Sequence, residues 1–288
     1  MGGIMNVNYL IHVHALLQWI EDHLSEELTI ELLSQKSGYS SSYLQKIFKD
    51  ITGDSLSKYV RGRRMFKAGV FLCFTRANIG YISEVLKFNS ISAFSRSFKN
   101  TFGVSPQDFR RKGVLNVSNT IAKAEVFKIP CEIKTISMID NASIRLYGQY
   151  FNYSVDAIDF DKPHFNQRKR FRKKFFQHLG YTPEHYYATS QYSPSWRSER
   201  EIDIKYFVGL AEQPDGIAGL ENAEFCLHSN KIACFYAEGM FVNPFYIALS
   251  ASMKSMSELF TGWNCNWDLE CFLTHNRFTE YRYIIPVS

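Results

Sequence analysis

Between Gly38 and Gly53 the chain carries polar side chains whose spacing places them on one side of a helix, because residues three and four positions apart are neighbours on a helix surface. The set consists of Ser42, Gln45, Lys46 and Lys49. Its hydroxyl, amide and ammonium groups donate hydrogen bonds and supply positive charge, and no carboxylate joins them before Asp50. This chemistry suits a negatively charged partner, although on an isolated helix the same residues would most simply be solvated surface.

The apolar residues of this stretch also recur at helical spacing, which predicts a helix that packs on a core. They are Tyr43, Leu44, Ile47, Phe48 and Ile51. Ser40 or Ser41 can cap the first turn, and Gly53 can adopt the left-handed conformation that ends the helix.

The preceding residues predict two further helices, an amphipathic one over Tyr9–Leu24 and a short one over Ile30–Lys36 capped by Thr29. A glycine turn at Gly38 then leads into the polar-faced helix. Helix, tight turn and helix in this order are typical of a helix-turn-helix unit.

A second copy of the pattern follows 50 residues later. A short helix over Ile79–Leu86 and a turn at Phe88–Ser90 precede a second polar-faced helix, Ile91–Phe102. The recurring positions are Leu44, Phe48, Lys49 and Gly53, which return as Phe94, Phe98, Lys99 and Gly103. Such a repeat predicts two helix-turn-helix units in one chain.

A longer helix, predicted over Ser55–Phe74, joins the two units. Its ~20 residues span about 30 Å, close to the roughly 34–36 Å helical repeat of DNA. One monomer could therefore place both polar-faced helices in successive major-groove segments of double-stranded DNA. Its cations are expected on the side away from the apolar residues: Arg61, Arg63, Arg64 and Lys67. We assign Arg61, Arg63 and Arg64 to phosphate or solvent contacts.

Charge and composition separate the chain into two parts. Residues 1–115 contain 15 Lys and Arg against 9 Asp and Glu, a formal charge of +6, whereas the remainder carries −1. The 288 residues are 45% hydrophobic, enough for a core in each part. A basic helical segment beside a near-neutral one predicts a nucleic-acid module joined to a module with another ligand.

Other functional classes lack support in the sequence. The chain has no apolar run long enough to span a membrane and no secretory signal, so we expect a cytoplasmic protein without membrane contact. Six cysteines form no C-x-x-C pair and are interpreted as reduced, buried thiols. Nucleotide-binding and catalytic motifs are also missing, so we expect neither an enzyme nor a bound metal or cofactor.

The second half changes from helical to strand-like periodicity. The predicted strands are 129–138, 143–153, 185–192, 202–210, 223–228, 231–239, 268–274 and 280–287, with helices over 157–179 and 243–260. Two strand-helix-strand-strand halves predict an α+β domain with a ligand groove between the halves. The expected organisation is an all-α DNA-binding domain at 1–113, a linker at 114–122 and the α+β domain at 123–288.

The first half resembles the AraC/XylS family of transcriptional regulators, and within it the MarA/SoxS/Rob group of stress-response activators. The resemblance is carried by Gly38-Tyr39-Ser40, Leu44, Phe48, Gly53, Ile79-x-x-Ile82, Phe88-x-Ser90, Phe94-Ser95-Arg96-x-Phe98-Lys99 and Phe102-Gly103-x-Ser105-Pro106-x-x-Phe109-Arg110. It implies a monomeric activator that binds promoter DNA and contacts RNA polymerase. The groove-entering residues it implies are Ser42, Gln45, Lys46, Ile91, Ser92, Ser95 and Arg96. Ser41 and the two cations Lys49 and Lys99, which suit phosphates or solvent, complete the predicted DNA-binding set.

The sequence departs from that group at several of these positions. Ser42 stands where the group has a tryptophan, Ile91 and Ser92 stand where it has glutamines, and Lys87 replaces a glycine. The departures affect the expected target sequence and leave the expectation of DNA binding unchanged.

The second half resembles the GyrI-like effector-binding domains that follow the DNA-binding part in Rob-like members. The matching segments are Lys231-Ile-Ala-Cys-Phe-Tyr-Ala-Glu-Gly239, Asp268-Leu-Glu-Cys-Phe272 and Tyr283-Ile-Ile-Pro-Val287. This resemblance implies that a glutamate in an aromatic cavity binds a small hydrophobic or cationic effector. The candidate ligand-binding residues are Glu270, Glu238, Tyr147, Tyr150, Tyr206, Trp263 and Trp267, with ordinary core and strand positions as the alternative for each.

Residues 168–174 form the densest basic run of the chain. It is most simply the solvated face of an amphipathic helix, and a supplementary phosphate contact or docking surface is the alternative. Two other functions stay open for the protein. The second domain could hydrolyse a small molecule, as some relatives of the GyrI-like fold do, or the protein could be an architectural DNA-binding protein without an effector.

Overall fold

The computed structural model describes residues 7–115, 132–137, 143–160, 165–226, 231–238, 267–275 and 278–287. The first of these stretches is helical and the later ones are mostly strands. The helices are α1 (Val7–Asp22), α2 (Ile30–Ser37), α3 (Ser41–Thr52), α4 (Leu56–Phe74), α5 (Ile79–Val85), α6 (Ile91–Phe102), α7 (Pro106–Lys112) and α8 (Phe165–Leu179). The strands are β1 (Glu132–Ser137), β2 (Ser143–Asp156), β3 (His185–Pro194), β4 (Glu201–Leu210), β5 (Glu221–Cys226), β6 (Lys231–Glu238), β7 (Trp267–His275) and β8 (Phe278–Val287).

The predicted elements within these stretches are confirmed, and one boundary is wrong. The helix predicted from Ala157 begins only at Phe165, because Ala157–Asp159 form a short 3-10 helix whose first turn is capped by Asp156. The helix predicted at 243–260 lies outside the described residues.

Local capping explains where the helices of the first part begin and end. Ser40 caps α3 by accepting a hydrogen bond from the Tyr43 backbone N–H, and Ser90 caps α6 by accepting one from that of Ala93. Both helices have 12 residues, and each ends at a glycine, Gly53 or Gly103, with a φ of 75° in the left-handed region. The sequence repeat is thus also a structural repeat.

The first helix-turn-helix unit has a core of its own. Leu33, Leu44, Phe48 and the first half of α4, including Leu56 and Tyr59, are buried together with residues of α1. This core forms because the apolar stripes of four consecutive helices face one another.

A buried ion pair fastens α1 to α4. Arg63 is 1% exposed, and its Nε and Nη2 lie 2.8 and 2.9 Å from the carboxylate oxygens of Glu21. The Tyr59 hydroxyl donates to the same carboxylate at 2.6 Å. The expectation that Arg63 faces solvent or phosphate is therefore wrong, because its guanidinium satisfies a carboxylate inside the core.

A second hydrophobic cluster continues from the helical part into the sheet. The second half of α4, together with Phe94 and Phe98 of α6 and Phe109 of α7, packs in the same cluster as α8, β3 and β4. Lys67 is also buried there, and its Nζ donates to the Ile158 carbonyl oxygen, so its predicted outward position is wrong as well.

The eight strands of the described residues form one antiparallel sheet in the order β1-β6-β8-β7-β3-β4-β2-β5. From one edge to the centre the strands are β1, β6, β8 and β7, and from the other edge to the centre they are β5, β2, β4 and β3. Strands at the same distance from the centre therefore differ by four places in the chain order. The strand order therefore has two-fold pseudosymmetry, and the two halves meet where β3 pairs with β7, with Ala188 opposite Glu270. This order supports the predicted duplication of strands within one α+β architecture.

Helix α8 packs on one face of the sheet through Phe171 and Phe175, which lie in the same cluster as Tyr206 and Phe272. The opposite face carries Leu146, Phe207 and Ala223 as a separate small cluster. Among the residues described, no helix is both long enough and apolar enough to cross a membrane.

Glu21→Gln removes the negative charge that faces Arg63 in the core. We expect the free energy of unfolding to fall by about 3–5 kcal/mol, as is typical when one partner of a buried ion pair is removed. Urea unfolding followed by circular dichroism measures the loss.

Glu224→Gln is the matched control, because Glu224 and its partner Arg145 are 49% and 59% exposed and exposed pairs contribute only about 0–1 kcal/mol. Equal losses in the two variants would contradict a special role for the buried pair.

Candidate functional site

The polar faces of α3 and α6 are both exposed. On α3, Ser42, Gln45, Lys46 and Lys49 are exposed and Ser41 is half-buried. On α6, Ile91, Ser92, Arg96 and Lys99 are exposed and Ser95 is half-buried. Each face presents two cationic side chains together with hydroxyl groups, and the positions correspond through the 50-residue repeat. Such a face can contact phosphates and base edges of duplex DNA.

Packed aromatic and aliphatic side chains hold these two helices rigidly. Leu44 and Phe48 of α3 are each 1% exposed, and Phe48 contacts Tyr59 of α4 edge to face at 5.2 Å. Phe94 and Phe98 of α6 are fully buried, with ring centroids 5.8 Å apart. The exposed residues are therefore presented from elements whose inner faces are fixed.

Tyr43 departs from its predicted core position. Its side chain is 47% exposed, and its ring contacts that of Tyr39 edge to face at 5.2 Å. The residue lies beside Ser42 and adds an exposed hydroxyl that the interpretation of the sequence had assigned to the core. The side chain of Ile51 lies outside the described residues.

Two of the remaining cations of α4 differ in their surroundings. Arg61 is exposed. Arg64 donates from Nε to the Leu24 carbonyl at 3.0 Å and from Nη2 to the Glu26 carbonyl at 2.6 Å, so it ties the turn that follows α1 to α4. Of the three α4 cations predicted as phosphate or solvent contacts, Arg61 is the one whose side chain is exposed.

The second candidate site is a buried ionic cluster between α8 and the sheet. Arg168 bonds from Nη1 to Glu270 Oε1, and its Nη2 lies 3.5 Å from Asp268 Oδ2. Arg172 Nη1 lies 3.3 Å from Glu270 Oε2. Both carboxylates are fully buried, and their side chains balance the formal charge of the two guanidinium groups. We call these four residues the ionic cluster.

Tyrosine hydroxyls extend the ionic cluster. Tyr206 donates to Glu270 Oε2 at 3.3 Å, Tyr192 donates to Asp268 Oδ2, and Tyr153 accepts from Arg168 Nε at 3.2 Å. Burial raises the pKa of Tyr192 well above its usual range, and the neighbouring Asp268 carboxylate raises this pKa further. Burial likewise raises the pKa of Tyr153. The hydroxyls of Tyr192 and Tyr153 therefore stay protonated across the physiological range.

A buried serine hydroxyl lies beside the ionic cluster. Ser190 Oγ is buried and, within the part of the chain that the structure describes, makes no hydrogen bond. Ser190 pairs with Tyr206 on one side and with Asp268 on the other. Side chains at directly paired positions lie on the same face of a sheet, so this hydroxyl lies between Tyr206 and Asp268 on the face that carries the ionic cluster.

The predicted ligand-binding residues are divided by the sheet. Glu270 and Tyr206 share the face that α8 covers, as does Tyr147, which pairs with Leu210. Tyr150 pairs with Phe207 on the opposite face, where the Lys205 ammonium lies 3.9 Å from its ring centre. Hence Tyr150 and Glu270 do not line a common cavity.

The other three candidates have only a backbone placement or none. Trp267 is the first residue of β7, opposite Gln191, and Glu238 is the last residue of β6, opposite Glu280. Trp263 lies outside the described residues.

Arg168 and Arg172 were missed as site residues, because the sequence interpretation placed their basic run on the solvated face of the helix. Only Lys169, Arg170, Lys173 and Lys174 are exposed there. The spacing in the sequence does indicate an inward position for both arginines, because Arg168 and Arg172 fall on the apolar stripe formed by Phe171, Phe175 and Leu179. A cation on an apolar stripe needs an inward partner, here Glu270.

Comparison with known proteins extends over both parts of the chain. A family model described as a helix-turn-helix domain matches residues 33–112. The chain is 30% identical over 208 residues to the transcriptional regulator Rob of Salmonella typhimurium, covering 71% of this chain and 70% of that protein. It is 41% identical over 100 residues to the multiple antibiotic resistance protein MarA of the same organism, covering 35% and 79%.

Among solved structures, the C-terminal domain of AraT, a response regulator from Geobacillus stearothermophilus, is similar to the chain at 32% identity. The TM-score is 0.34, with 35% of this chain and 84% of that chain covered.

Tyr186→Phe tests the burial of the tyrosines around the cluster. Burial raises the pKa of Tyr186 to about 12, whereas a tyrosine in the unfolded chain has a pKa of about 10. The stability that this difference contributes is fully present below about pH 10 and is lost as the pH rises towards 12.

We therefore expect the unfolding free energy of the wild type to fall between pH 8 and pH 11 by up to about 1.4 kcal/mol more than that of the Tyr186→Phe variant. Urea unfolding at pH 8, 10 and 11 measures both, and the pH 8 values serve as the reference. Parallel curves for the two proteins would contradict the assignment.

Proposed function

Since this chain belongs to the Rob-like members of the AraC/XylS family of transcriptional regulators, we propose that it binds promoter DNA as a monomer through α3 and α6 and activates transcription there. The observation that carries this proposal is the matched pair of exposed polar faces on α3 and α6. Two equivalent readers in one chain recognise two segments of DNA without a dimer or a palindromic site.

The reading of DNA is divided among these side chains by their chemistry. Gln45 can pair bidentately with adenine and Arg96 with guanine, whereas Lys49 and Lys99 suit phosphates. Ser41, Ser42, Lys46, Ile91, Ser92 and Ser95 complete the proposed contact surface. Exposed Tyr43 joins Ser42 at its edge.

Helix α4 sets the distance between the two readers. Its 19 residues rise by about 28 Å, so α3 and α6 belong to neighbouring major-groove segments on one face of the duplex. A monomer bound in this way leaves the rest of its surface available for RNA polymerase, which we propose as the protein partner at the promoter.

The sheet domain is proposed to sense a small effector at the ionic cluster. The cluster lies where the two halves of the sheet meet, and Ser190 Oγ offers a hydrogen bond that the described residues leave unused. Tyr206 lies within cation–π distance of Arg168, with the guanidinium carbon 5.2 Å from the ring centre. An effector with an apolar body and a cationic or hydrogen-bonding group suits these surroundings, and a cation would exchange with Arg168.

Gln45→Ala tests the DNA-reading role. We expect binding to a duplex selected by the wild type from a random pool to weaken by about tenfold, because one bidentate contact is worth roughly 1–3 kcal/mol. Binding to random duplex should change by less than about twofold, because phosphate contacts carry nonspecific affinity. Fluorescence anisotropy at one fixed salt concentration measures both.

The control is Gln177→Ala, the same substitution at an exposed position of α8, which should change neither affinity. If Gln45→Ala weakens selected and random duplexes equally, Gln45 does not read a base.

The sensing role is tested by thermal unfolding with a panel of apolar amines, amides and carboxylic acids. We expect one class to raise the melting temperature of the wild type, because a ligand that binds only the folded state stabilises it by about 2.7 kcal/mol at 100 times its Kd. Ser190→Ala should reduce this shift.

Mass spectrometry of the ligand after incubation provides the second measurement. We expect the ligand to be recovered intact. Recovery of a hydrolysis product would instead indicate that the sheet domain is an enzyme. The absence of any shift across the panel would favour a DNA-binding protein without an effector and would leave the DNA-reading proposal standing.

A further inference from the structure

Three aromatic rings form a contact between the helical part and the sheet. Phe74 is the last residue of α4, Phe160 follows the short 3-10 helix, and Tyr192 belongs to β3. The rings of Phe74 and Phe160 stack with centroids 5.2 Å apart, and Tyr192 lies 6.0 Å from Phe74 and 5.6 Å from Phe160. We call these three residues the aromatic triad.

Tyr192 belongs to the aromatic triad and to the ionic cluster at once. Its ring contacts that of Phe74 at a tilt of 56°, while its hydroxyl donates to Asp268 Oδ2 and accepts from Arg168 Nη2 at 3.0 Å. The ring and the phenolic oxygen of tyrosine form one rigid plane. A change in the hydrogen bonds of the hydroxyl therefore moves the ring against α4.

Two polar contacts join the same surfaces. The buried Lys67 ammonium of α4 donates to the Ile158 carbonyl oxygen. Arg200 pairs with Asp156 and is hydrogen-bonded to Tyr81 of α5. The sheet thus contacts the end of α4 and the second helix-turn-helix unit.

The first helix-turn-helix unit is packed differently. Leu33, Leu44 and Phe48 share a cluster with the beginning of α4, separate from the cluster that contains Phe74. A displacement of the aromatic triad would therefore move the second unit, with α6, relative to the first unit, with α3.

We propose that Tyr192 is a positioning residue for DNA binding, which links the state of the ionic cluster to the relative placement of α3 and α6. The inference rests on the proposed function, since it needs both helices to read one duplex. A change in the hydrogen bonds that Asp268 or Arg168 makes with the Tyr192 hydroxyl is then transmitted to Phe74 through the Tyr192 ring. The ordered cluster is the state that favours DNA binding.

Tyr192→Phe tests this in the full-length chain, because it removes the hydroxyl and keeps the ring. We expect the affinity for the duplex selected by the wild type to fall by about five- to tenfold, within the range of coupling between distinct sites. Inserting one base pair between the two halves of the selected site should lower the affinity of the variant by a smaller factor than that of the wild type. The reason is that the two helix-turn-helix units of the variant are held less firmly relative to each other. A purely structural role would leave this spacing preference unchanged.

Tyr186→Phe is the matched control. It makes the same substitution on the same strand, β3, at a ring that stacks on Phe272 and belongs to neither the aromatic triad nor the ionic cluster. We expect this variant to bind the selected duplex within about twofold of the wild type and to keep the wild-type spacing preference.

A double-mutant cycle with Phe74→Leu tests whether the effect of Tyr192 on DNA binding passes through Phe74. Phe74→Leu alone should weaken binding to a similar extent, and adding Tyr192→Phe should then have no further effect. Independent, multiplying losses would overturn the proposal, as would a Tyr192→Phe variant with wild-type affinity and spacing preference.

If Tyr192→Phe does not fold, the affinity of Phe74→Leu decides, and an unchanged value overturns the proposal. A wild type that fails to discriminate selected from random duplex would instead refute the proposed function itself, and this inference with it.

Discussion

The fold depends on one helix being buried in two separate cores. The first half of α4 packs Leu56 and Tyr59 into the first helix-turn-helix unit, and its second half packs Phe71 and Phe74 into the cluster shared with the second unit and the sheet. An amphipathic stripe serves a single core, so a helix between two cores must bury most of its circumference. The length of α4 therefore separates the two units, and its rotation fixes the directions in which α3 and α6 are presented.

Two buried cations lie in the middle of α4, between the core of the first helix-turn-helix unit and the cluster shared with the sheet. Arg63 meets Glu21 on one side, and Lys67 meets a carbonyl on the other. Buried ion pairs add little net stability compared with apolar packing, but a misplaced partner is costly. The same reasoning applies to α8, where Arg168 and Arg172 face two carboxylates. We infer that these charges select one rotation of each helix among several that would bury similar apolar area.

Local patterns were sufficient to predict most elements, because caps, glycines and periodicity act over a few residues. The repeat of Ser40 and Gly53 at Ser90 and Gly103 is an example. The partners of buried charges could not be predicted in this way. Arg63 and Arg168 look like surface cations in the sequence, since their carboxylates lie 42 and 102 residues away in the chain.

Alternation within a strand predicts that two faces exist, but it cannot tell which residues of different strands share a face. That depends on register, which placed Tyr150 with Phe207 and Glu270 with Ala188. The register also brings Asp268 and Glu270 to the strand pair about which the strand order is pseudosymmetric. Because Arg168 and Arg172 already neutralise these carboxylates, a cationic effector must displace a guanidinium group rather than fill an open charge. Such an exchange would release α8 from the sheet at the residues that also bind the Tyr192 hydroxyl.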